Sequence, residues 1–292
     1  MTSAFETVRP RLKGLAYRML GSVADADDAV QDTYVKFSNA NKATIENPEA
    51  WLVATCTRRC IDALRSAQKT RVDYVGLWLP EPLVGTTASS QADQVELAES
   101  LTTAFLLLLE RLNPVERAAF LLRDVFDYDY RHVAAILGKS EPAVRQIVAR
   151  AKKHVDKERA RAEVPVEHKE TLLRSFLDAL ASGRPDRLEQ VLADDVELWG
   201  DGGGKVPAGG LQAITSAHRV ARFLAGVWRR YWRHYELEQA MINGAPGLIL
   251  RERGQVVGAL SLAADDSGRY AAIFIVRNPD KLGHVPASHT AH

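Results

Sequence analysis

The chain is poor in cysteine and contains no long apolar run. Among its 292 residues only two are cysteine, Cys56 and Cys60, and their four-residue spacing puts both on one face of a helix. We predict two buried, inert thiols, because two sulfur ligands are too few for a zinc site or a disulfide framework. No segment reaches the roughly 18 apolar residues of a membrane span, and the first residues lack the apolar core of a signal peptide. These absences predict a cytoplasmic protein without a metal, a cofactor or a membrane partner.

Net charge is also small, at +1 from 38 basic and 37 acidic residues. Any attraction to nucleic acid must therefore be local. Segments 58–71 and 141–161 each carry a net charge of +4, whereas residues 72–110 contain no Lys or Arg. That stretch holds six acids: Asp73, Glu81, Asp93, Glu96, Glu99 and Glu110. The chain thus has two positive patches separated by an acidic tether.

The pattern of apolar residues divides the chain into three domains and a linker. Residues 1–73 predict helices at 5–20, 25–37 and, opened by Pro48, at 49–69. Residues 74–95 contain Pro80, Pro82 and a polar stretch, which predicts a linker, although Trp78, Leu79 and Leu83 favour partial docking on a surface. Residues 96–161 predict a second helical domain, with helices at 93–111, 114–125, 129–137 and 141–161.

The remaining residues predict an α+β domain at 165–282 and a flexible tail at 283–292. We expect helices at 167–182, 186–193 and 211–234. Period-two patterns predict strands at 196–199, 236–243, 247–253, 255–263 and 270–276, the last four forming an antiparallel meander. Asn243-Gly244 and Arg253-Gly254 are typical of tight hairpin turns.

Residues 130–150 predict a helix-turn-helix. Val133, Ile136 and Leu137 give the first helix an apolar side, and Gly138 can adopt the left-handed conformation that ends it. Ser140 is a natural N-cap for the second helix, whose outward residues would include Arg145, Gln146 and Arg150. Such a helix can read base edges in a major groove while Lys152 and Lys153 reach phosphates. A plain helical hairpin with a solvated basic face has the same pattern.

The first 160 residues resemble the extracytoplasmic-function sigma factors of bacterial RNA polymerase. The similarity is carried by residues 16–33 (AYRMLGSVADADDAVQDT), Trp51-Leu52 with 57–65 (TRRCIDALR), 112–122 (LNPVERAAFLL) and the helix-turn-helix. The C-terminal half resembles SnoaL-like domains of the nuclear-transport-factor-two-like superfold, which one sigma subgroup carries as an extension. Its marks are Trp78-Leu79-Pro80-Glu81-Pro82, Asp201-Gly202-Gly203-Gly204-Lys205 and Asn278-Pro279-Asp280-Lys281-Leu282.

The resemblance implies two all-α sigma regions followed by a cone-shaped SnoaL-like domain, with RNA polymerase core and promoter DNA as partners. Region 4 would read the minus-thirty-five element through Arg145, Gln146, Arg150, Lys152 and Lys153. Region 2 would read the minus-ten element through Asn47, Arg58, Arg59, Asp62 and Arg65, and loop 38–47 would hold an extruded base. Asp25, Asp28, Gln31 and Asp32 would contact polymerase, although acids in a helix's first turn also have a structural use.

The three marks of the extension predict an intramolecular regulatory interface that fixes the relative position of the two DNA-reading domains. An unidentified small ligand in the C-terminal pocket remains open, as does an anion held by the glycine loop. Catalysis is disfavoured, because Asp194, Asp195, Asp201, His218 and His234 form no acid–base pair by spacing. The alternative is a single helix-turn-helix repressor or activator with a ligand-sensing SnoaL-like domain.

Overall fold

The computed structural model describes residues 2–70, 74–85, 102–159 and 166–286, which fall into two compact units. The first unit contains the described residues up to 70 and residues 106–158. The second contains the described parts of 74–105 and of the chain from 159 onward. Residues 74–85, expected to be linker, therefore belong to the same unit as the C-terminal domain. Residues 86–95 of that linker lie outside the described residues, as do positions 96–101 and 160–161 of the predicted second helical domain.

The first unit begins with three helices that pack on one another: α1 (Thr2–Leu20), α2 (Val23–Asn39) and α3 (Pro48–Thr70). Gly21, in the left-handed region with φ of 69°, ends α1. Ser22 then caps α2, because its hydroxyl accepts a hydrogen bond from the Asp25 amide. Pro48 opens α3, as predicted. Cys56 and Cys60 are fully buried free thiols, as expected, and the Cys56 contact together with burial raises the pKa of Cys60.

Among the residues described from 102 to 159, four further helices follow: α4 (Thr103–Glu110), α5 (Pro114–Phe120), α6 (Tyr130–Leu137) and α7 (Glu141–Arg159). A π-helical turn, Leu121–Val125, extends α5. Asn113 and Glu116 form a reciprocal capping box at the start of α5. Asp129 caps α6, and Gly138 ends it with φ of 62°. The helix-turn-helix predicted from these local signals is present as α6 and α7.

In its described residues, the second unit combines three helices with a seven-stranded sheet. The helices are α8 (Val166–Ala181), α9 (Pro185–Val191) and α10 (Ala217–Arg230). The strands are β1 (Val84–Gly85), β2 (Leu192–Asp201), β3 (Ile214–Thr215), β4 (Glu236–Ile242), β5 (Ala245–Glu252), β6 (Gln255–Ala264) and β7 (Tyr270–Val276).

The strand order is β1-β4-β5-β6-β7-β2-β3, with one parallel pair, β2 and β7. The expected meander β4 to β7 is confirmed, and both hairpin turns have positive φ at their two central residues, as Asn243-Gly244 and Arg253-Gly254 require. Strand β2 joins the edge of the meander beside β7 after a crossover, so the sheet is mixed. The described parts of the chain thus form two helical regions and an α+β domain with a mixed sheet.

Two helix predictions in this unit need correction. The helix expected at 211–234 starts only at Ala217, because Ile214–Thr215 pairs with β2 and a 3-10 turn, Trp232–His234, follows Tyr231. The helix expected at 186–193 ends at Val191, because Leu192 and Ala193 already belong to β2, where both are buried. In both places the β-sheet recruits apolar residues that local periodicity assigned to a helix.

The core of the second unit is an apolar cluster between its helices and the sheet. It includes Phe176, Trp232 and Tyr270, with the Phe176 and Tyr270 rings packed edge to face at 5.5 Å. Burial raises the pKa of Tyr270. No helix in the described parts of the chain is long and apolar enough to cross a membrane.

Candidate functional site

The recognition helix α7 presents the five predicted region 4 side chains to solvent. Val144, Ile147 and Val148 are buried beneath them. The exposed set is Arg145, Gln146, Arg150, Lys152 and Lys153. The Arg145 guanidinium contacts Glu141 at 2.6 Å and lies 4.2 Å from the Tyr130 ring centre, and Lys152 pairs with Asp124. Gln146, Arg150 and Lys153 make no ion pair or side-chain hydrogen bond with another described residue.

The predicted minus-ten arginines on α3 all have hydrogen-bond or ion-pair partners within the protein. Arg59 Nε donates to Asp32 Oδ2 at 2.6 Å, and this contact raises the pKa of Arg59. Arg65 lies 3.7 Å from Asp62, and both are exposed. Arg58 Nε donates to the Ile136 carbonyl in α6 at 3.2 Å. The candidate DNA-reading arginines of α3 are thus held by acids and by a backbone oxygen.

Asn47 and the preceding loop have local structural contacts. The Asn47 side chain accepts a hydrogen bond from the Ala50 amide at 3.0 Å, so it caps the start of α3. In the loop expected to hold an extruded base, Lys42 Nζ lies 3.4 Å from the centre of the Phe37 ring. One face of the buried Phe37 ring is therefore in contact with the protein's own ammonium group.

The predicted polymerase-contacting residues lie on the exposed face of α2: Asp25, Asp28, Gln31 and Asp32. Asp25 is in the first turn, where a carboxylate suits the helix dipole. Asp32 is the residue of this set that pairs with Arg59, so the α2 face and the minus-ten helix share one ion pair. Sequence spacing did not predict this link between the two sites.

Within the first unit, the α1–α3 bundle packs directly on helices α5 and α6. Three arginines donate across this contact to backbone carbonyls: Arg11 to Phe126 O at 2.9 Å, Arg117 to Met19 O at 2.6 Å, and Arg58 to Ile136 O. Arg117, only 3% exposed, also pairs with Glu110 at 2.8 Å. Arg18 lies against the Phe126 ring, and burial lowers its pKa to about 10.

In the second unit, the three motifs of the C-terminal extension meet at one carboxylate. Asp201 is fully buried and accepts four hydrogen bonds. The donors are Tyr74 Oη at 2.5 Å, the Leu79 amide at 2.9 Å, the Gly203 amide at 3.0 Å and Lys281 Nζ at 2.7 Å. Four donors match the acceptor capacity of an ionised carboxylate. The anion held beside the glycine loop is therefore the chain's own Asp201.

Lys281 completes this cluster, which we call the Asp201 network (Tyr74, Leu79, Asp201, Gly203, Asn278 and Lys281). Its ammonium group donates to the Leu79 carbonyl at 2.6 Å and lies 4.3 Å from the Trp78 ring centre. Tyr74 accepts a hydrogen bond from Asn278 Nδ2 at 3.0 Å. Burial and the adjacent Asp201 carboxylate raise the pKa of Tyr74.

The glycines of the loop are required by close contacts. A Cβ on Gly202 would lie 1.8 Å from the Val206 carbonyl oxygen, and one on Gly203 would lie 2.4 Å from Asn278 Nδ2. Gly203 and Gly204 also have positive φ, at 61° and 71°. Lys205 at the end of the loop pairs with Asp280 at 2.6 Å on the surface. The loop is a packed element of the domain rather than a flexible cradle.

Residues 74–85, the docked segment, continue along the second unit after Leu79. Pro80, Glu81 and Pro82 are buried, and His284 contacts the Pro82 carbonyl at 2.8 Å. Leu83 exchanges two hydrogen bonds with Asn243, and β1 then pairs with β4. Pro279 and Leu282 lie in or next to the 3-10 turn that carries Lys281.

Sequence reasoning missed Tyr74, Asn243 and His284. Tyr74 is the first residue of the predicted linker. A bulky aromatic side chain ahead of Trp78 was the sequence feature that could have indicated docking there. His284 and Val285, which is 7% exposed, belong to the stretch expected to be a flexible tail. That tail therefore packs on the domain as far as Pro286, whose carbonyl accepts from Arg251, and positions 287–292 lie outside the described residues.

One small cavity lies within the described part of the second unit. A cavity of about 30 Å³ lies between Lys169, Leu172, Pro246 and Tyr270, enough for one or two water molecules. Among the described residues, no group of three His, Cys, Asp or Glu side chains is arranged to hold a metal ion. Nothing in the described residues supports the small ligand that the sequence left open.

Comparisons with known proteins agree with this architecture. The family model of sigma-70 region 2 matches residues 4–70, and that of sigma-70 region 4 matches residues 102–155. The chain is 35% identical over 295 residues to the ECF RNA polymerase sigma factor SigJ of Mycobacterium tuberculosis strain H37Rv, covering 97% of this chain and 94% of SigJ. It is 27% identical over 287 residues to the probable ECF RNA polymerase sigma factor SigI of strain CDC 1551, with the same coverages of 97% and 94%.

The structure also matches the crystal structure of M. tuberculosis SigJ, with a TM-score of 0.79 and 32% identity over 99% of this chain and 100% of that one. A repressor with a single helix-turn-helix has no region 2, so the matched residues 4–70 decide against that alternative. With both sigma regions and an α+β extension in place, the chain belongs to the extracytoplasmic-function sigma factors.

Proposed function

We propose that this sigma factor directs promoter-specific initiation in the cytoplasm and that its C-terminal domain regulates it by holding the docked segment. The observation that carries the regulatory part is the direct packing of region 2 on region 4, in which Arg58 of α3 donates to Ile136 of α6. The minus-ten and minus-thirty-five elements lie a little over two helical turns apart, roughly 70–80 Å. Two regions in contact cannot read both elements at once, so the packed arrangement is the inactive one.

The docked segment restricts the separation of the two regions through the covalent chain. Linker residues 74–95 would span at most about 70 Å if fully extended, at roughly 3.3 Å per residue. Docking of residues 74–85 on the second unit prevents these residues from contributing their full extended length of about 40 Å. The Asp201 network and the pairing of β1 with β4 therefore favour the closed state. Release of the docked segment restores the reach that promoter binding needs.

The exposed face of α7 supports a role in reading the minus-thirty-five element. Gln146 and Arg150 are suited to base edges and Lys153 to phosphate, and these three side chains have no partner among the described residues. In region 2, Arg58, Arg59 and Arg65 would exchange their present partners for phosphates, while Asn47 acts through the helix it caps. Asp25, Asp28 and Gln31 remain exposed for the polymerase core.

We also propose that the C-terminal domain is not catalytic. Asp194 pairs with Arg269 on the surface, and His218 pairs with Glu189. Asp195 and His234 are exposed, and Asp201 is engaged by Lys281. None of these groups faces an apolar pocket, as a general acid or base of this superfold would need to. These placements favour a domain that regulates through its contacts with the docked segment.

The test is reconstituted transcription with bacterial core polymerase on promoters recovered by binding selection. We would compare the full chain, a chain ending at Arg161, and the Asp201→Asn variant, which weakens the network without removing the domain. More promoter-specific initiation from both altered forms than from the full chain is the expected result. The matched control is Asp280→Asn, which removes only the exposed pair with Lys205 and should behave like the full chain.

Other outcomes separate the two parts of the proposal. Equal or lower initiation by the truncated chain would reject regulation by the docked segment while leaving the sigma function intact. No initiation by any form, together with binding to palindromic DNA, would reject the sigma function itself.

A further inference from the structure

The second unit contains a basic run that neither the sigma regions nor the Asp201 network uses. Residues 202–235 include no Asp or Glu but contain Lys205 and five arginines: Arg219, Arg222, Arg229, Arg230 and Arg233. Four of these arginines lie in α10, which has no acidic residue in its first turn and two basic residues in its last. Residues 72–110 have the opposite charge composition, with acidic residues and no Lys or Arg.

Helix geometry gathers these residues on one face. At 100° per residue, positions 219, 222, 226, 229 and 230 fall within an arc of about 100°. We call this set, Arg219, Arg222, Gly226, Arg229 and Arg230, the arginine face. Its four arginines are exposed, whereas Val220, Ala221, Leu224 and Ala225 on the opposite side are buried.

The guanidinium groups of this face have few protein partners. Arg229 Nε contacts the Ala225 carbonyl of its own helix at 3.2 Å. Arg219, Arg222 and Arg230 form no ion pair or side-chain hydrogen bond with another described residue. Elsewhere in the same unit, Arg251 pairs with Glu238 and Arg269 with Asp194.

Folding does not account for the arginine face. Arg219 is the third residue of α10, where a cation opposes the helix dipole, and Arg219 and Arg222 repel each other at i,i+3 spacing. Gly226 weakens the middle of the helix. Packing does not require a glycine there, since a Cβ at this position would meet nothing within 4 Å. A glycine in open space at the centre of four arginines leaves room for the backbone of a partner.

We propose that the arginine face binds the phosphate backbone of DNA, as a third DNA contact outside sigma regions 2 and 4. Guanidinium groups match phosphate oxygens in bidentate geometry. The row from Arg219 to Arg230 is about 17 Å long at 1.5 Å per residue, comparable to five phosphates of one strand at roughly 3.4 Å each. A protein partner would instead favour an apolar centre depleted in charge, and the centre of this face is Gly226 between arginines. The contact would be independent of sequence.

The experiment measures binding of the full chain to a 30-base-pair duplex without promoter sequence, by fluorescence anisotropy at several salt concentrations. The test variant is the double substitution Arg219→Gln and Arg222→Gln. Losing two phosphate contacts should weaken binding at least about tenfold at low salt and reduce the slope of log K against log salt by about 2. The thermal midpoint should stay equal or rise, because Arg219 opposes the helix dipole and repels Arg222.

The matched control is the double substitution Arg174→Gln and Arg187→Gln, which removes the same charge from exposed positions on α8 and α9. It should leave the salt slope within about 0.5 of the wild-type value. A second variant, Gly226→Gln, keeps every arginine and strengthens the helix, so a higher thermal midpoint with weaker binding is expected.

Equal salt slopes for the test and control variants would overturn the proposal. So would a test variant that keeps its DNA affinity but loses affinity for core polymerase, because the face would then serve a protein partner. Unchanged DNA affinity of Gly226→Gln would contradict close approach of the DNA backbone to the helix. None of these outcomes depends on whether the docked segment regulates transcription.

Discussion

Two contacts in this molecule join segments that are distant in sequence, and they are built differently. Region 2 is held on region 4 by arginine side chains that donate to carbonyls, as Arg11 does to Phe126 and Arg58 to Ile136. The docked segment is held by backbone pairing of β1 with β4 and by a buried carboxylate. Arg11 and Arg58 are exposed and can exchange a carbonyl for water or phosphate at little cost, with Arg117 as the buried exception. Leaving a buried backbone group or a buried charge without its partner is expensive. The sigma regions are therefore the adaptable contact and the docked segment is the durable one.

The largest expected effect comes from breaking the durable contact at Asp201. Asp201→Asn removes the negative charge that compensates Lys281, and the two side chains are 0% and 8% exposed. Leaving a buried charge unpaired costs about 3–5 kcal/mol. Hydrogen exchange of residues 74–85 and the thermal midpoint of the second unit should both report this loss. Asp280→Asn, at an exposed pair worth less than about 1 kcal/mol, is the control, and equal effects of the two variants would contradict the ranking.

Next in size is Gly203→Ala. The added methyl would lie 2.4 Å from Asn278 Nδ2 at a position with φ of 61°, so strain of about 1–3 kcal/mol is expected. Gly283→Ala has open space around its Cβ and should change the thermal midpoint by less than 1 °C. A Gly203→Ala protein as stable as the Gly283→Ala protein would show that the loop is looser than the contacts indicate.

Alkaline pH tests the stability of the docked segment through the ionisation of Tyr74. Its pKa in the folded state is raised above the ordinary value near 10 by burial and by Asp201. Its contribution to stability is therefore complete below pH 10 and is lost as pH rises above 10 toward the folded pKa, by at most about 1.4 kcal/mol per pH unit and less where water reaches the phenol.

Urea unfolding at pH 9 and pH 11 measures this loss. Because Tyr270 also has a raised pKa, Tyr74→Phe and Tyr270→Phe should each remove part of the alkaline sensitivity. Only Tyr74→Phe should remove the part seen as hydrogen exchange of residues 74–85. An unchanged pH dependence in Tyr74→Phe would contradict the proposed origin of the effect.

The smallest effect is expected at the adaptable contact. Arg58→Ala removes one side-chain donor to Ile136 and should cost about 0.5–1.5 kcal/mol, seen as faster hydrogen exchange in α6. Arg65→Ala, which removes only an exposed 3.7 Å pair with Asp62, is the control. A loss as large as that of Asp201→Asn would reverse the comparison and make the sigma contact the durable one.

Local signals predicted the helices and the helix-turn-helix well. Pro48 and Gly138 act within four residues of themselves, so their effects can be read along the chain. The alternation of apolar and polar residues predicted the meander strands for the same reason, because this pattern also acts over a few residues. The failures at 192–193 and 211–216 came where a sheet edge recruited residues from a crossover.

The candidate functional sites show the same division between features that the local sequence predicts and contacts that depend on the fold. The exposed face of α7 follows from helical periodicity alone, because burial of one side dictates exposure of the other. Asp32 and Arg59 were assigned to different partners, and their mutual ion pair joins positions 27 residues apart that no periodicity relates. The cap formed by Asn47 was equally hidden, since the residue was interpreted as a DNA contact.

The order of the regions, the helix ends in the first unit, the polar face of the recognition helix and the three motifs of the extension could all be predicted from the sequence. These depend on backbone propensity, capping and periodicity, which act over a few residues. Only the tertiary structure decided that Tyr74, Asp201 and Lys281 share one network, and that Arg58 of region 2 contacts Ile136 of region 4. Such contacts depend on chain segments separated by up to two hundred residues, and burial determines which polar groups must find one another.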